Sequence, residues 1–155
     1  MKRRIKYKGI VQNVLNDAPF IGAVVIANSC SMPCADCING HLKAESYCLE
    51  DTAADIIAKV KSNGLNQGIV LSGLEWTEQP DDLIELARTA LEHHLEVMVY
   101  THHNEHAFFS IVPELASEKI YVQFGLFDKA LSSDTHYSYG VKLATTNQYI
   151  KQFGQ

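Results

Sequence analysis

Residues 68–101 read GIVLSGLEWTEQPDDLIELARTALEHHLEVMVYT and contain one strand–helix–strand pattern. The apolar runs at 68–73 and 95–101 are typical of strands that are buried on both faces. Between them, Pro80 and the two acids after it indicate a helix start, and apolar residues then recur at helical spacing. The pattern predicts two parallel strands joined by a right-handed helical crossover.

The alternation continues on both sides of this unit. Residues 22–28 (GAVVIAN) predict an earlier buried strand, and residues 119–125 (KIYVQFG) predict a later one. A capping box at residues 52–55 predicts a helix that ends at Gly64, and residues 105–112 predict a shorter helical piece. The order of elements therefore predicts four parallel strands that alternate with helices.

Two further segments flank this pattern. Residues 4–13 alternate like an edge strand, and residues 139–148 could form a late strand. We expect one α/β domain over residues 1–155, built as a partial (β/α) barrel or as an open, mostly parallel sheet. Ligands of such folds bind at the carboxyl ends of the strands, so the loops after the first three strands should carry the function.

The composition argues against some classes of partner. Of the 155 residues, 46% are hydrophobic, which is enough for one buried core, and the formal net charge is −5. The charges are scattered, so we expect no nucleic-acid partner. No signal-peptide pattern or apolar run of about 18 residues occurs, so we expect no membrane segment and a cytoplasmic location. Clustered cysteines in a reducing compartment are more often metal ligands or catalysts than disulfides.

Three of the four cysteines lie in the loop after the first buried strand, SCSMPCADCIN at residues 29–39. Cys30, Cys34 and Cys37 have the spacing Cys-x3-Cys-x2-Cys, which can place thiolates at three corners of an iron–sulfur cubane. A structural zinc site would need four protein ligands. Cys48 could supply a fourth ligand, although an isolated buried thiol is the more ordinary interpretation. Three ligands would leave one iron open to an exogenous chelate.

This cysteine loop resembles the signature of the radical S-adenosylmethionine (SAM) enzymes. The resemblance implies that Cys30, Cys34 and Cys37 hold a 4Fe–4S cluster. It also implies that the amino and carboxylate groups of SAM chelate the fourth iron, and that one-electron reduction cleaves SAM to a 5′-deoxyadenosyl radical.

The loop after the second strand adds to the resemblance. Ser72-Gly73-Leu74-Glu75 is similar to the family's Gly-Gly-Glu-like segment, which holds the SAM amino group. Gly73 and Glu75 match this segment, whereas Leu74 departs from it. A carboxylate and a backbone carbonyl suit an ammonium group, which only donates hydrogen bonds. Thr101, at the start of the third loop, is expected within reach of the SAM ribose or carboxylate.

Within that superfamily the chain most resembles the small activating proteins of the anaerobic ribonucleotide reductase. The similar segments are CADCIN (34–39), LSGLEWTEQPDDLIELARTAL (71–91), YVQFGLFDKAL (121–131) and LATTNQYI (143–150). The chain departs from the superfamily at Asp36, where an aromatic residue is usual. The resemblance implies a glycyl-radical protein, the large subunit of that reductase, as substrate. It also implies an electron donor such as flavodoxin or ferredoxin.

Two other functions stay open. A radical SAM enzyme could act on a small molecule, as the ring-contracting synthase of 7-deazaguanine biosynthesis does. A non-enzymatic iron–sulfur or zinc module is the third possibility, although an electron carrier would not need the SAM-like second loop.

The third loop, THHNEH, contains His102, His103 and His106. Histidines at i and i+4 can bind a metal, but the spacing His-Glu-x-x-His is missing. We therefore expect a polar loop near the SAM and not an independent metal site.

Overall fold

The computed structural model of the chain describes residues 3–28 and 48–154. The strands are β1 (Arg4–Val14), β2 (Gly22–Ala27), β3 (Leu49–Thr52), β4 (Gly68–Ser72), β5 (Glu96–Tyr100), β6 (Tyr121–Phe124), β7 (Tyr137–Ser138), β8 (Val141–Lys142) and β9 (Tyr149–Gln152). The α-helices are α1 (Ala53–Lys61), α2 (Pro80–Glu92) and α3 (Glu105–Ile111), and 3-10 helices span Trp76–Glu78, Pro113–Ser117 and Lys129–Leu131. Seven strands form one mixed sheet in the order β3-β1-β2-β4-β5-β6-β9, and β7 pairs with β8 in a separate hairpin.

Four adjacent strands of this sheet, β2, β4, β5 and β6, are parallel, as the apolar runs predict. Val24 lies opposite Val70, and Val70 lies opposite Met98. The four strands end at the same edge of the sheet, so the loops that follow them are neighbours. The outer strands β1, β3 and β9 are antiparallel to their partners, which makes the whole sheet mixed.

The predicted edge strand at residues 4–13 is a strand, but its first part does not lie at the edge. Tyr7 in β1 lies opposite Ala27 on one side and opposite Leu49 on the other, and β3 covers the outer side of β1 over Arg4–Tyr7. In the described part of the chain, the rest of β1 pairs only with β2. The sequence pattern does not predict β3, because its four residues, LEDT, contain no apolar run. Its position comes from pairing with β1.

The late strand predicted at residues 139–148 is also misplaced. In that segment only Val141–Lys142 forms a strand, and it pairs with Tyr137–Ser138 in the hairpin. The strand that completes the sheet is β9, which begins at Tyr149 and pairs with β6.

The predicted helices are present with shifted ends. The hydroxyl of Thr52 accepts a 3.2 Å hydrogen bond from the backbone N–H of Asp55, as the capping box predicts. Helix α1 ends at Lys61 and not at Gly64, because Ser62 caps it in a right-handed conformation. Helix α2 begins at the proline of the predicted start, and α3 is one residue shorter than predicted.

Both faces of the parallel strands are buried. On the helical face Ile69, Leu86 and Phe108 belong to one core cluster. On the other face Val70 and Met98 pack in a second cluster, which the loop before β2 and the β7–β8 hairpin cover. No helix in the described residues has the length and apolar character that crossing a bilayer requires.

Candidate functional site

The loops after β2, β4 and β5 leave the sheet at the carboxyl edge of the parallel strands. The predicted cluster ligands Cys30, Cys34 and Cys37 follow β2 in sequence. They lie outside the described residues, as does Asp36. The geometry of the site therefore concerns the second and third loops and their attachment to β2.

Two side chains attach the loop after β4 to β2. Nε1 of Trp76 donates to the carbonyl of Val25 at 3.1 Å, and the indole is fully buried. Oε1 of Gln79 accepts from the backbone N–H of Asn28 at 3.0 Å. Trp76 is thus a packing residue. The segment that leaves β2 toward Cys30 is hydrogen-bonded to the neighbouring loop.

The predicted SAM-binding segment starts where β4 ends. Ser72, the last residue of β4, is half-buried and lies opposite Ile26 of β2. Gly73 has a φ of +88°, and a Cβ at this position would lie 2.5 Å from Cγ2 of Ile26. Position 73 therefore requires glycine both for its backbone conformation and for its close contact with β2.

The carboxylate of Glu75 joins the second loop to the third. Its side chain is only 3% exposed. Oε2 accepts from the hydroxyl of Thr77 at 2.7 Å, from the backbone N–H of Thr77 at 3.2 Å and from the hydroxyl of Thr101 at 3.0 Å. Oε1 accepts from the backbone N–H of His102 at 2.8 Å. The predicted site residues Glu75 and Thr101 are therefore in direct contact.

The ring of His102 provides the ion-pair contact of Glu75. Nδ1 of His102 lies 2.6 Å from Oε1 of Glu75, but among the described residues this buried nitrogen has no well-aligned hydrogen bond. Burial raises the pKa of Glu75, and the contacts with His102, followed by those with Thr77, outweigh this effect and lower the pKa below its ordinary value. The site therefore holds a buried, ionised carboxylate whose neighbour in the described residues is an imidazole.

The ring of His103 lies beside this pair. Its centroid is 4.1 Å from that of His102, and its Nε2 is 3.1 Å from the hydroxyl of Thr77. The backbone N–H of His103 donates to the hydroxyl of Thr101 at 3.2 Å. Burial, followed by the electrostatic effect of the neighbouring His102, lowers the pKa of His103 below its ordinary value.

Glu75, His102 and His103 thus form a cluster that the sequence pattern does not reveal. Their potential ligand atoms all lie within 4.8 Å of one another. The i and i+4 spacing in the sequence would pair His102 with His106, but His106 is exposed on α3 and is not part of the cluster. One sequence signal could identify the cluster. A carboxylate follows one predicted strand and two histidines follow the next, so adjacent parallel strands would bring them together.

A fourth loop, after β6, is attached to the same edge. The backbone N–H of Gly125 donates to the carbonyl of His103 at 3.1 Å, and the φ of Gly125 is +115°. Asn147 and Gln148 donate side-chain hydrogen bonds to the carbonyls of Leu126 and Gly125. The loop after β6 therefore fixes the third loop from its far side.

Cys48 is a free, half-buried thiol, and not the buried one that the ordinary interpretation expects. It directly precedes Leu49, which is two strands away from Ala27 at the end of β2. Two strand spacings correspond to about 10 Å.

A family model described as a 4Fe-4S single cluster domain matches residues 21–136, which is most of the chain. The matched range includes the cysteine loop and the carboxylate–histidine cluster. This match makes the chain an iron–sulfur protein. The chain belongs to the 4Fe-4S single cluster domain family. No curated protein matches the chain significantly.

The chemistry of the donor set fits such a cluster. Iron–sulfur clusters are held by cysteine thiolates, and all four cysteines of the chain lie in the matched range. Cys30, Cys34 and Cys37, which follow β2 in sequence, are the residues that would hold it.

Proposed function

We propose that this protein is a radical SAM activating enzyme that generates a glycyl radical on the anaerobic ribonucleotide reductase. The observation that carries the proposal is the buried, ionised carboxylate of Glu75. It lies at the carboxyl edge, one strand away from the loop with Cys-x3-Cys-x2-Cys spacing. A thiolate loop and an ammonium acceptor at one edge are the two parts that SAM binding at an open iron requires.

The membership of a single-cluster 4Fe–4S family supports the first part of this proposal. Cys30, Cys34 and Cys37 leave one iron without a protein ligand, where the amino and carboxylate groups of SAM can bind. When bound, the cluster supplies the electron that SAM cleavage needs. Cys48 is left out of the ligand set. An electron donor of the flavodoxin or ferredoxin type would reduce the protein.

The second part rests on the contacts of Glu75. Thr77 and Thr101 occupy Oε2 and fix the carboxylate, while Oε1 faces Nδ1 of His102. An ammonium group that approaches Oε1 would take the place of the imidazole contact, while the hydrogen bond from the backbone N–H of His102 to Oε1 is kept. A donor-only ammonium is the natural partner of an anion held in this way.

The residues around Glu75 supply the other proposed contacts of the methionyl group. Ser72 is the last residue of β4, and Gly73, which has no side chain, follows it. Thr101 lies next to Glu75 and can contact the ribose or the carboxylate of SAM. These four residues are the proposed SAM contacts of this chain.

A protein substrate suits this small domain better than a small molecule does. A deoxyadenosyl radical can abstract hydrogen from almost any C–H bond, so selectivity depends on how the substrate is placed. We expect the mouth of a site in a partial parallel sheet to be open to a glycine loop of another protein. Glycine has no side chain to block close approach, and the flanking amides stabilise its radical.

The decisive experiment combines the reduced protein, SAM and the anaerobic ribonucleotide reductase from the same source. We expect a doublet glycyl-radical signal in electron paramagnetic resonance, lost when the glycine of the partner is replaced by alanine. A silent spectrum with SAM turnover on a purine precursor would favour the small-molecule enzyme. A silent spectrum without SAM cleavage would favour an electron-transfer module.

A further inference from the structure

We propose that Glu75, His102 and His103 form a binding site for a divalent ion of the zinc class, separate from the iron–sulfur cluster. The site goes beyond the function proposed above, and only its effect on SAM binding rests on that function. It consists of one carboxylate and two imidazoles from the loops after β4 and β5.

The spacing of the three side chains suits one ion. Their potential ligand atoms lie within 4.8 Å of one another, and Oε1 of Glu75 is 2.6 Å from Nδ1 of His102. Zinc bonds of roughly 2.1 Å in a tetrahedral arrangement separate neighbouring ligand atoms by about 3.4 Å. Side-chain rotations that move the ligand atoms by about 1 Å would give this spacing. The ion would then lie between the carboxylate and the imidazoles.

Within the described residues, one ring nitrogen of the cluster lacks a well-aligned hydrogen bond. Nδ1 of His102 is buried and lies 2.6 Å from Oε1 of Glu75, but the contact does not meet hydrogen-bond geometry. A buried polar atom without a partner is costly, and a coordinated ion would satisfy it. The ion would also balance the buried charge of Glu75, which has an imidazole as its ion-pair neighbour in the described part of the chain.

The surrounding hydroxyls orient the ligands. Thr77 donates to Oε2 of Glu75, so its oxygen is available to accept a hydrogen bond from Nε2 of His103. Thr101 donates to the same carboxylate oxygen and accepts from the backbone N–H of His103. Partners of this kind fix ligand orientation in metal sites.

The donor types select the ion. Imidazole and carboxylate ligands suit Zn²⁺, Co²⁺ and Ni²⁺, whereas Mg²⁺ and Ca²⁺ prefer sites made only of oxygen atoms. Three protein ligands leave a fourth coordination position for water or another ligand. The site therefore resembles an accessible ion site more than a closed structural one.

The site shares Glu75 with the proposed SAM contacts. Zinc bound to Oε1 would occupy the position that the SAM ammonium needs, so zinc and SAM would bind in competition. This consequence separates the two proposals, because His102 and His103 are required for zinc and are not among the proposed SAM contacts.

The test is a titration of the cluster-loaded, full-length protein with Zn²⁺ against a chromophoric chelator. We expect one Zn²⁺ per chain, with its affinity reduced at least about tenfold in His102→Ala and in His103→Ala. His106→Ala is the matched control, since this histidine is exposed on the adjacent helix, and should leave the affinity unchanged. Iron content is measured in each sample, so that zinc held by vacated cysteines is excluded.

Equal zinc affinity in the wild type, His102→Ala and His103→Ala would overturn the proposal. His103→Asn provides a second variant, since it retains a hydrogen-bonding group beside Thr77 but removes the imidazole. It should also lose the zinc, with a far-ultraviolet circular dichroism spectrum like that of the wild type. Zinc retained by a folded His103→Asn variant would contradict the site.

The SAM measurement distinguishes this proposal from the proposed function. Zinc should raise the apparent Kd of SAM in the wild type, and His103→Ala should bind SAM without sensitivity to zinc. If SAM does not bind to any variant while zinc affinity follows the histidines, the SAM function fails and the zinc site stands. If SAM binds but zinc affinity does not depend on the histidines, the zinc site fails and the SAM function stands.

Discussion

The hydroxyl of Thr101 donates a 3.0 Å hydrogen bond to Oε2 of Glu75, so a residue after β5 holds a carboxylate that follows β4. The two strands are adjacent and parallel, which places the ends of both at one edge. The contact makes the carboxylate part of a rigid pair of loops, so the position of Oε1 depends on both strands.

The first prediction concerns the cluster ligands. Anaerobically reconstituted protein should bind about four irons, and Cys30→Ala, Cys34→Ala and Cys37→Ala should each abolish the cluster, because each removes one thiolate ligand. Cys48→Ala is the control, because it also removes one thiol but should leave the cluster intact. Iron analysis and the visible absorption band measure the outcome. Loss of the cluster in the Cys48 variant would contradict the set of three ligands.

A second prediction concerns SAM affinity. Glu75→Ala should weaken SAM binding by roughly one to two decades, since loss of a hydrogen bond to a charged group costs about 1.5 to 3 kcal/mol. The iron content should not change. Equilibrium dialysis with labelled SAM measures the affinity, and Glu114→Ala, at an exposed 3-10 helix position, serves as control. Full affinity in the Glu75 variant would remove this residue from the SAM site.

The third prediction uses two glycines with different surroundings. Gly73→Ala should destabilise the fold by about 1 to 3 kcal/mol, because the residue has a positive φ and its new Cβ would meet Ile26. Gly64→Ala should have little effect or stabilise by about 0.4 to 1 kcal/mol, because its surroundings are open and its φ lies outside the positive range. Urea unfolding of the two variants measures the difference. Similar unfolding midpoints would show that the turn after β4 tolerates a side chain.

The fourth prediction is a pH dependence. Burial raises the pKa of Asp17 above its ordinary value of 3.8, so the folded state holds this proton more tightly than the unfolded state does. The resulting stabilisation is complete below the ordinary pKa and is lost as the pH rises through the raised pKa. At pH 7 the carboxylate therefore opposes folding.

Asp17→Asn removes that charge and should raise the unfolding midpoint at pH 7, with the advantage disappearing below about pH 4. Unfolding at both pH values tests this. Asp134→Asn is the control, because its side chain is fully exposed and the same substitution there should change little. An equal advantage at both pH values would exclude desolvation of Asp17 as the cause.

The sequence predicts the parallel strands well because each carries an unbroken apolar run, as in Gly22–Ala27. It does not predict β3, whose polar residues pair with β1 through backbone hydrogen bonds that any sequence can make. It also places the end of α1 at Gly64, whereas Ser62 supplies a cap from its own side chain. Local sequence patterns thus predict the elements that contain an apolar run or periodicity, and they miss those that form only by pairing with a neighbour.

The site shows the same limit. Glu75 and Thr101 can be identified individually from their positions after strands. Their contact, and the approach of His102 and His103, depends on the register of β4 against β5 and on hydroxyls that direct each ring. Such convergence is tertiary, and no spacing along the chain encodes it.

The last prediction concerns Gln79, which connects three segments. Its Oε1 accepts from the N–H of Asn28, and its Nε2 donates to the carbonyl of Lys6 and to Oδ2 of Asp82. Gln79→Ala should therefore destabilise the fold by about 1 to 2 kcal/mol, because three hydrogen bonds of modest net value are lost at a partly exposed position. The exit of β2 toward Cys30 would also lose its attachment to the loop of Glu75.

Gln79→Glu distinguishes the hydrogen bond that this side chain accepts from the two that it donates. The new carboxylate still accepts from Asn28, but it faces the carbonyl of Lys6 and the carboxylate of Asp82 without a proton to donate. We expect this variant to be less stable than the wild type at pH 7. It should regain part of the loss near pH 4, where protonation of a carboxyl restores a donor. The alanine variant should show no such recovery. Unfolding midpoints of both variants at the two pH values measure the difference, and parallel pH profiles would mean that the donor side of Gln79 contributes nothing.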